Sequence, residues 1–257
     1  MPTGATVSDL RLAVITPEWQ APACVRAAFT LRSGGVSSPP FDTLNLGSTL
    51  GDEQEAVAEN RRRVHAALSL PEEPLWLEQV HGTRVVTDGD LHGGIALEPR
   101  ADASITRRPG RVCAIRVADC IPVLLAARSG EAVGAAHAGW RGLAAGVLES
   151  TVRALGVPPA QLMAWLGPAI GPRHFEVGDD VRAAFLVPDP GAETAFARND
   201  RGRWLCDLPA LARRRLAALG VAAIHGGAWC TYSDRERFFS YRRDGRCGRM
   251  AALIWLI

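Results

Sequence analysis

The sequence predicts a single-domain α+β protein, a mixed layer fold in which some strands pair antiparallel. Three observations carry this. Short apolar runs of strand length are separated by tight polar turns, longer segments space their apolar residues helically, and no linker or internal repeat divides the 257 residues. The apolar fraction of 47% supplies a large core, and 22% charged residues is ordinary for a globular chain.

The first strand is expected over Cys24 to Thr30, ending at Ser33-Gly34-Gly35, and a loop follows through Ser37-Ser38-Pro39-Pro40 to Asn45-Leu46-Gly47. From about Glu53 to Leu68 the pattern turns helical, with Val57, Val64 and Leu68 on one side. Val112 to Val117, Ile121 to Ala127 and Ala132 to His137 read as strands, the last two joined by a turn at Arg128-Ser129-Gly130-Glu131. A helix is expected over Leu143 to Leu155 with Gly156 as its stop. Another spans Leu208 to Leu219, with Asp207 as N-cap and Gly220 at its end. Further strands are expected at Met163 to Leu166, Val221 to His225, Phe238 to Arg242 and Met250 to Leu256, with a turn at Asp244-Gly245.

Composition excludes several functions. All 29 basic residues are arginine, which removes lysine Schiff-base chemistry and the P-loop lysine. The net charge is only +2, and the clusters Arg61-Arg62-Arg63 and Arg213-Arg214-Arg215 fall on expected helices as solvated faces, so no nucleic-acid partner is expected. No run approaches the roughly 20 apolar residues of a membrane span, and the opening residues carry no secretory pattern. A cytoplasmic protein is expected. Its six cysteines, none in a C-x-x-C pair, are then free thiols.

Reactive residues gather with glycine in three segments: Gln79-Val80-His81-Gly82, Ala118-Asp119-Cys120-Ile121-Pro122 and His137-Ala138-Gly139-Trp140-Arg141-Gly142. Two imidazoles and one thiolate suit a borderline-soft ion such as zinc, and three ligands leave a fourth position open for chemistry. If the turn at Arg128 to Glu131 closes a symmetric hairpin, paired residue numbers sum to 259. Cys120 then faces Gly139, with His137 diagonal to it on the same side. Pro122 sits awkwardly in such a ladder, and the argument does not place His81. On residue chemistry alone, a buried inert thiol and a hydrogen-bonded core histidine stand beside the metal site as readings. The turn into the Leu143 helix adds anion-binding N–H groups, with Arg141 beside them.

The chain resembles the YfiH family, the laccase-domain or polyphenol oxidase proteins, which includes purine nucleoside phosphorylases and the peptidoglycan editing factor. The matching stretches are Phe29-Thr30-Leu31-Arg32-Ser33-Gly34-Gly35-Val36-Ser37, Leu44-Asn45-Leu46-Gly47, Asn60-Arg61 and the three segments above. They continue through Leu166-Gly167-Pro168-Ala169-Ile170-Gly171 and Cys230-Thr231 to Phe238-Phe239-Ser240-Tyr241-Arg242-Arg243-Asp244-Gly245 and Gly248-Arg249. The resemblance implies a four-layer α/β/β/α sandwich with mixed sheets and a catalytic zinc on His81, Cys120 and His137. It also implies phosphorolysis of adenosine, guanosine, inosine and methylthioadenosine, with adenosine deamination as a side activity. Small-molecule nucleoside and phosphate are the expected partners, and Arg32, Asn45, Arg61, Arg141 and Arg242 are candidates for holding them.

Two other readings stand. The family's similarity to toxin deamidases keeps a cysteine hydrolase open, with Cys120 as nucleophile acting on amide bonds of peptidoglycan precursors. A non-catalytic binding module stapled by zinc is the third, although a core of this size needs no staple. The laccase name implies four coppers, but the chain has only His65, His81, His92, His137, His174 and His225, with no H-x-H pair. One zinc rather than copper is therefore expected.

Overall fold

In a computed structural model, which describes residues 12–91 and 98–257, the expected α+β layers are present. His92 and the opening residues 1–11 lie outside the described residues. The strands are β1 (Val14–Ile15), β2 (Val25–Thr30), β3 (Val85–Val86), β4 (Ala103–Thr106), β5 (Val112–Val117), β6 (Ile121–Ala127), β7 (Val133–Ala138), β8 (Leu162–Leu166), β9 (Glu176–Val177), β10 (Phe196–Arg198), β11 (Trp204–Cys206), β12 (Ala223–Gly226) and β13 (Met250–Leu256). The helices are α1 (Gln54–Leu68), α2 (Trp140–Ala145), α3 (Val147–Leu155), α4 (Asp179–Leu186), α5 (Leu208–Ala218) and α6 (Tyr241–Asp244).

Two sheets stack face to face. One runs β1-β2-β13-β5, antiparallel throughout; the other runs β12-β8-β6-β7-β4-β3, with its two outer pairs parallel. Strand periodicity explains how both are covered on each side. In β13, Ala252 and Ile254 join the core between the sheets, whereas Ala251, Leu253 and Trp255 join an outer core with Val64 of α1. In β6, Leu124 and Ala126 face the first sheet, while Val123 and Leu125 pack with Leu148 of α3 and Leu211 of α5. These central strands are buried on both faces, so they read as continuous apolar runs rather than alternating ones. Each fully buried Leu or Phe contributes about 1.5–3 kcal/mol. Three cores between four layers give helix, sheet, sheet, helix. A small third sheet, β10-β11-β9, flanks them.

Two expected elements are corrected. The helix expected over Leu143 to Leu155 begins at Trp140 and is split, because Gly146 takes φ +100° and caps both α2 and α3. Phe238 to Arg242 is not a strand. Ser240 accepts a hydrogen bond from the Arg243 N–H and starts α6, and the Arg243 guanidinium donates to the carbonyls of Thr231, Tyr232 and Phe238. A side chain thus occupies acceptors that a strand partner would otherwise need. Asp207 caps α5 as expected, accepting from the Ala210 N–H at 2.9 Å.

Candidate active site

The β6–β7 hairpin has the expected register: Ile121 pairs with Ala138 and Pro122 with His137, each summing to 259. Pro122 fits because it precedes the ladder to β8, which begins at Val123 opposite Leu166. Cys120 and His137 therefore meet at the open end of the hairpin. His81 arrives on the loop before β3, its backbone in the left-handed region at φ +60°. The three ligand atoms lie within 4.8 Å of one another, with Cys120 Sγ 3.8 Å from His81 Nε2 and the two imidazoles edge to face. Gly139 permits this approach. A Cβ there would stand 2.8 Å from His81 Cδ2 and 2.9 Å from Cys120 Sγ.

Asp102, one residue before β4 and fully buried, organises both histidines. Oδ1 accepts from the His81 N–H at 2.9 Å and from His137 Nδ1–H at 2.8 Å. Oδ2 accepts from the N–H groups of Val80 and Gly82 at 3.2 and 2.6 Å. Three successive N–H groups wrapped on one carboxylate hold the His81 loop in its left-handed turn. The bond to Nδ1 leaves His137 Nε2 to face the cluster, the outer-shell arrangement typical of metal-ligating histidines. Burial would raise the Asp102 pKa, but the His137 hydrogen bond and these N–H groups outweigh it and hold the carboxyl below its usual range.

Electrostatics favour a thiolate. Burial alone would push the Cys120 thiol up, but the His137 charge and hydrogen bonds from both histidines bring it down to about 6. Burial would likewise lower His137, and the facing Cys120 sulfur and Asp102 raise it to about 9. The contrast is Cys113 and Cys206, which burial pushes up to about 12. The donor set fits zinc: tetrahedral Zn–N and Zn–S bonds place N and S about 3.5 Å apart, close to the 3.8 Å observed. A proton on His137 Nε2 would leave as the ion binds.

The cluster opens into a cavity of about 640 Å³, the size range of a small-molecule site. Arg141 and Arg242 line it; Arg32, Asn45 and Arg61 do not. Arg141 stacks on Trp140 at 4.4 Å, and Arg242 stands 5.3 Å from the Phe175 ring and donates to the Glu176 carbonyl. Arg32 pairs instead with Asp42 at 3.1 Å, in a separate hollow. Asn45 is fully buried and holds the backbone of Gly47 and Arg249. Arg61 pairs with Glu98, which also takes Arg116 at 2.6 Å, and both of the latter residues line the cavity.

Sequence reasoning missed Asp102, Glu98 and Arg116, and it gave Asp119 no role although that residue stands in the Cys120 segment. Arg116 carried a weak signal, a charged residue inside the apolar run from Val112 to Val117, whereas Asp102 sits in the mixed stretch Arg100-Ala101-Asp102-Ala103-Ser104, and nothing in the spacing of either connects it to His81 or Cys120.

Fold and cluster together define a four-layer α+β protein with a His–Cys–His centre at the floor of a cavity. The family described as multi-copper polyphenol oxidoreductase laccase matches residues 26–257. The purine nucleoside phosphorylase YfiH of Escherichia coli is 53% identical over 244 residues, covering 95% of this chain and 99% of its own. A protein from Pseudomonas aeruginosa, also named purine nucleoside phosphorylase, is 55% identical over 243 residues, covering 94% and 98%. A crystal structure of a Neisseria meningitidis protein superposes with a TM-score of 0.89 at 50% identity, covering 95% and 98%. The chain belongs to the YfiH family of laccase-domain proteins.

Proposed function

We propose that this chain is one catalytic domain, a cytoplasmic zinc-dependent purine nucleoside phosphorylase acting on adenosine, inosine, guanosine and methylthioadenosine, with adenosine deamination as a side activity. The observation that carries it is the His81–Cys120–His137 triangle set in a cavity that Arg141 and Arg242 also line. The names of the relatives support the substrate class. Zinc on these residues supplies Lewis acidity and an activated water. The guanidiniums of Arg141 and Arg242 hold phosphate through charge-assisted bonds, ready for attack on the anomeric carbon, and the aromatic rings of Trp140, Phe175 and Tyr241 offer faces to the purine. Among the described residues, the triangle is the one cluster of such ligands, which supports one metal per chain rather than the several of a multicopper oxidase; we take that metal to be zinc.

Purified protein incubated with adenosine and phosphate is expected to form ribose 1-phosphate and adenine. Zinc-loaded wild type forming no more than a His81→Ala control would refute the reading. A second reading, amide hydrolysis by Cys120, draws on the lowered thiol beside His137. Alkylation separates them: a zinc ligand is shielded until the metal is chelated, whereas a free catalytic thiolate reacts at once.

A further inference from the structure

Asp119, the residue before Cys120, holds φ at +97°, a backbone region that L side chains rarely adopt. Such a conformation persists only where its surroundings over-determine it. Three bonds do so here, each from a different segment of the chain, and two of the donors, Ile170 and Arg242, line the cavity. Oδ1 accepts from the Thr231 hydroxyl at 2.7 Å, Oδ2 from the Arg242 N–H at 2.6 Å, and the Asp119 carbonyl from the Ile170 N–H at 2.9 Å. Thr231 is itself fully buried, and its N–H donates to the Ala169 carbonyl at 2.9 Å. Arg242 is thereby held at both ends: Asp119 fixes its backbone at the start of α6, and the Glu176 carbonyl takes its guanidinium at 2.9 Å.

We propose that Asp119 is a positioning residue that locks the Arg242 guanidinium in place relative to Cys120, so that the anion-holding wall and the His–Cys–His centre form one rigid piece. This deepens the phosphorolysis reading and rests on it. The carboxylate works here as a double acceptor. Both of its oxygens are already taken by donors, so the proposal gives it no part in proton transfer.

Substitutions separate acceptor geometry from charge. In Asp119→Asn the amide oxygen can take the Arg242 N–H while its NH₂ group donates to the Thr231 hydroxyl, which turns to accept, and Asn tolerates left-handed backbone. Asp119→Gly tolerates the backbone but loses both side-chain bonds. The Asn variant is expected to keep its KM for phosphate within about threefold of wild type, and the Gly variant to raise it about tenfold or more. Zinc should stay stoichiometric in both, and kcat should move less than KM. Amide hydrogen exchange across Tyr241–Asp244 should quicken in the Gly variant and stay near wild type in the Asn variant. A Gly variant with wild-type KM and exchange, or an Asn variant impaired as much as Gly, would overturn the proposal. If wild type shows no phosphorolysis, the functional reading fails, and the exchange pattern alone still decides whether Asp119 fixes α6.

Discussion

Replacing Asp102 by asparagine changes one atom yet is expected to disable both histidines. The carboxylate accepts four hydrogen bonds, two on each oxygen, and is fully buried. If the asparagine NH₂ faces Val80 and Gly82, it opposes two backbone donors. Each unmade bond to a buried donor costs about 1–3 kcal/mol, and partial access of water to this loop favours the lower end. If the NH₂ faces His81 and His137 instead, Nδ1 of His137 must become an acceptor, which moves the proton to Nε2 and removes its lone pair from the metal site. Both orientations lose. A stability loss of about 2–4 kcal/mol is expected, alongside a 10–100-fold fall in zinc affinity of the kind seen when a metal-orienting carboxylate is lost. Urea unfolding of the metal-free protein reads the first, and zinc competition against a chromophoric chelator reads the second. A variant that binds zinc within twofold of wild type at unchanged urea midpoint would refute the assigned role of Asp102.

Gly139→Ala should leave the fold intact but drive His81 and Cys120 apart, because the new Cβ would stand under 3.0 Å from each; zinc stoichiometry well below one with a native circular dichroism spectrum is the expected result. Arg141→Ala and Arg242→Ala should each raise the KM for phosphate about 10–100-fold, the worth of a charge-assisted bond, whereas Arg32→Ala, away from the cavity, should not. Equal effects from all three would remove the assignment of the phosphate site. In metal-free protein, Cys120 should be alkylated at a rate that rises as pH passes about 6 and levels off above it, since its depressed pKa makes the thiolate the dominant form from there upward. Cys113 and Cys206 should stay inert in the same digest, and a Cys120 rate that climbs only towards pH 9 would contradict the thiolate–imidazole pairing.

The contrast between what could and could not be read from the sequence follows from the range of each interaction. The register that joins Cys120 to His137 was legible because a four-residue turn fixes it locally, and every later pair inherits that offset. The helix boundaries at Asp207 and Gly156 were legible for the same reason: a cap is satisfied within one turn. Phe238 to Arg242 misled because aromatic, apolar residues favour strands, while its conformation is decided by the Arg243 guanidinium, which donates to nearby carbonyls, and by Ser240, which accepts from the Arg243 N–H. Arg32, Asn45 and Arg61 show the converse. Their polar character in glycine-rich surroundings suggested ligand contacts, yet they hold the loop between β2 and α1 and the wall behind the cavity. Asp102 and Asp119 work through backbone N–H groups 20 or more residues away, such as those of Gly82, His81 and Arg242. Backbone donors are the same for every residue type, so no side-chain pattern at the receiving end marks the bond. That is why a site whose three ligands could be named from the sequence kept hidden the Asp102 carboxylate that aims two of them, and the partners of Asp119 beside the third.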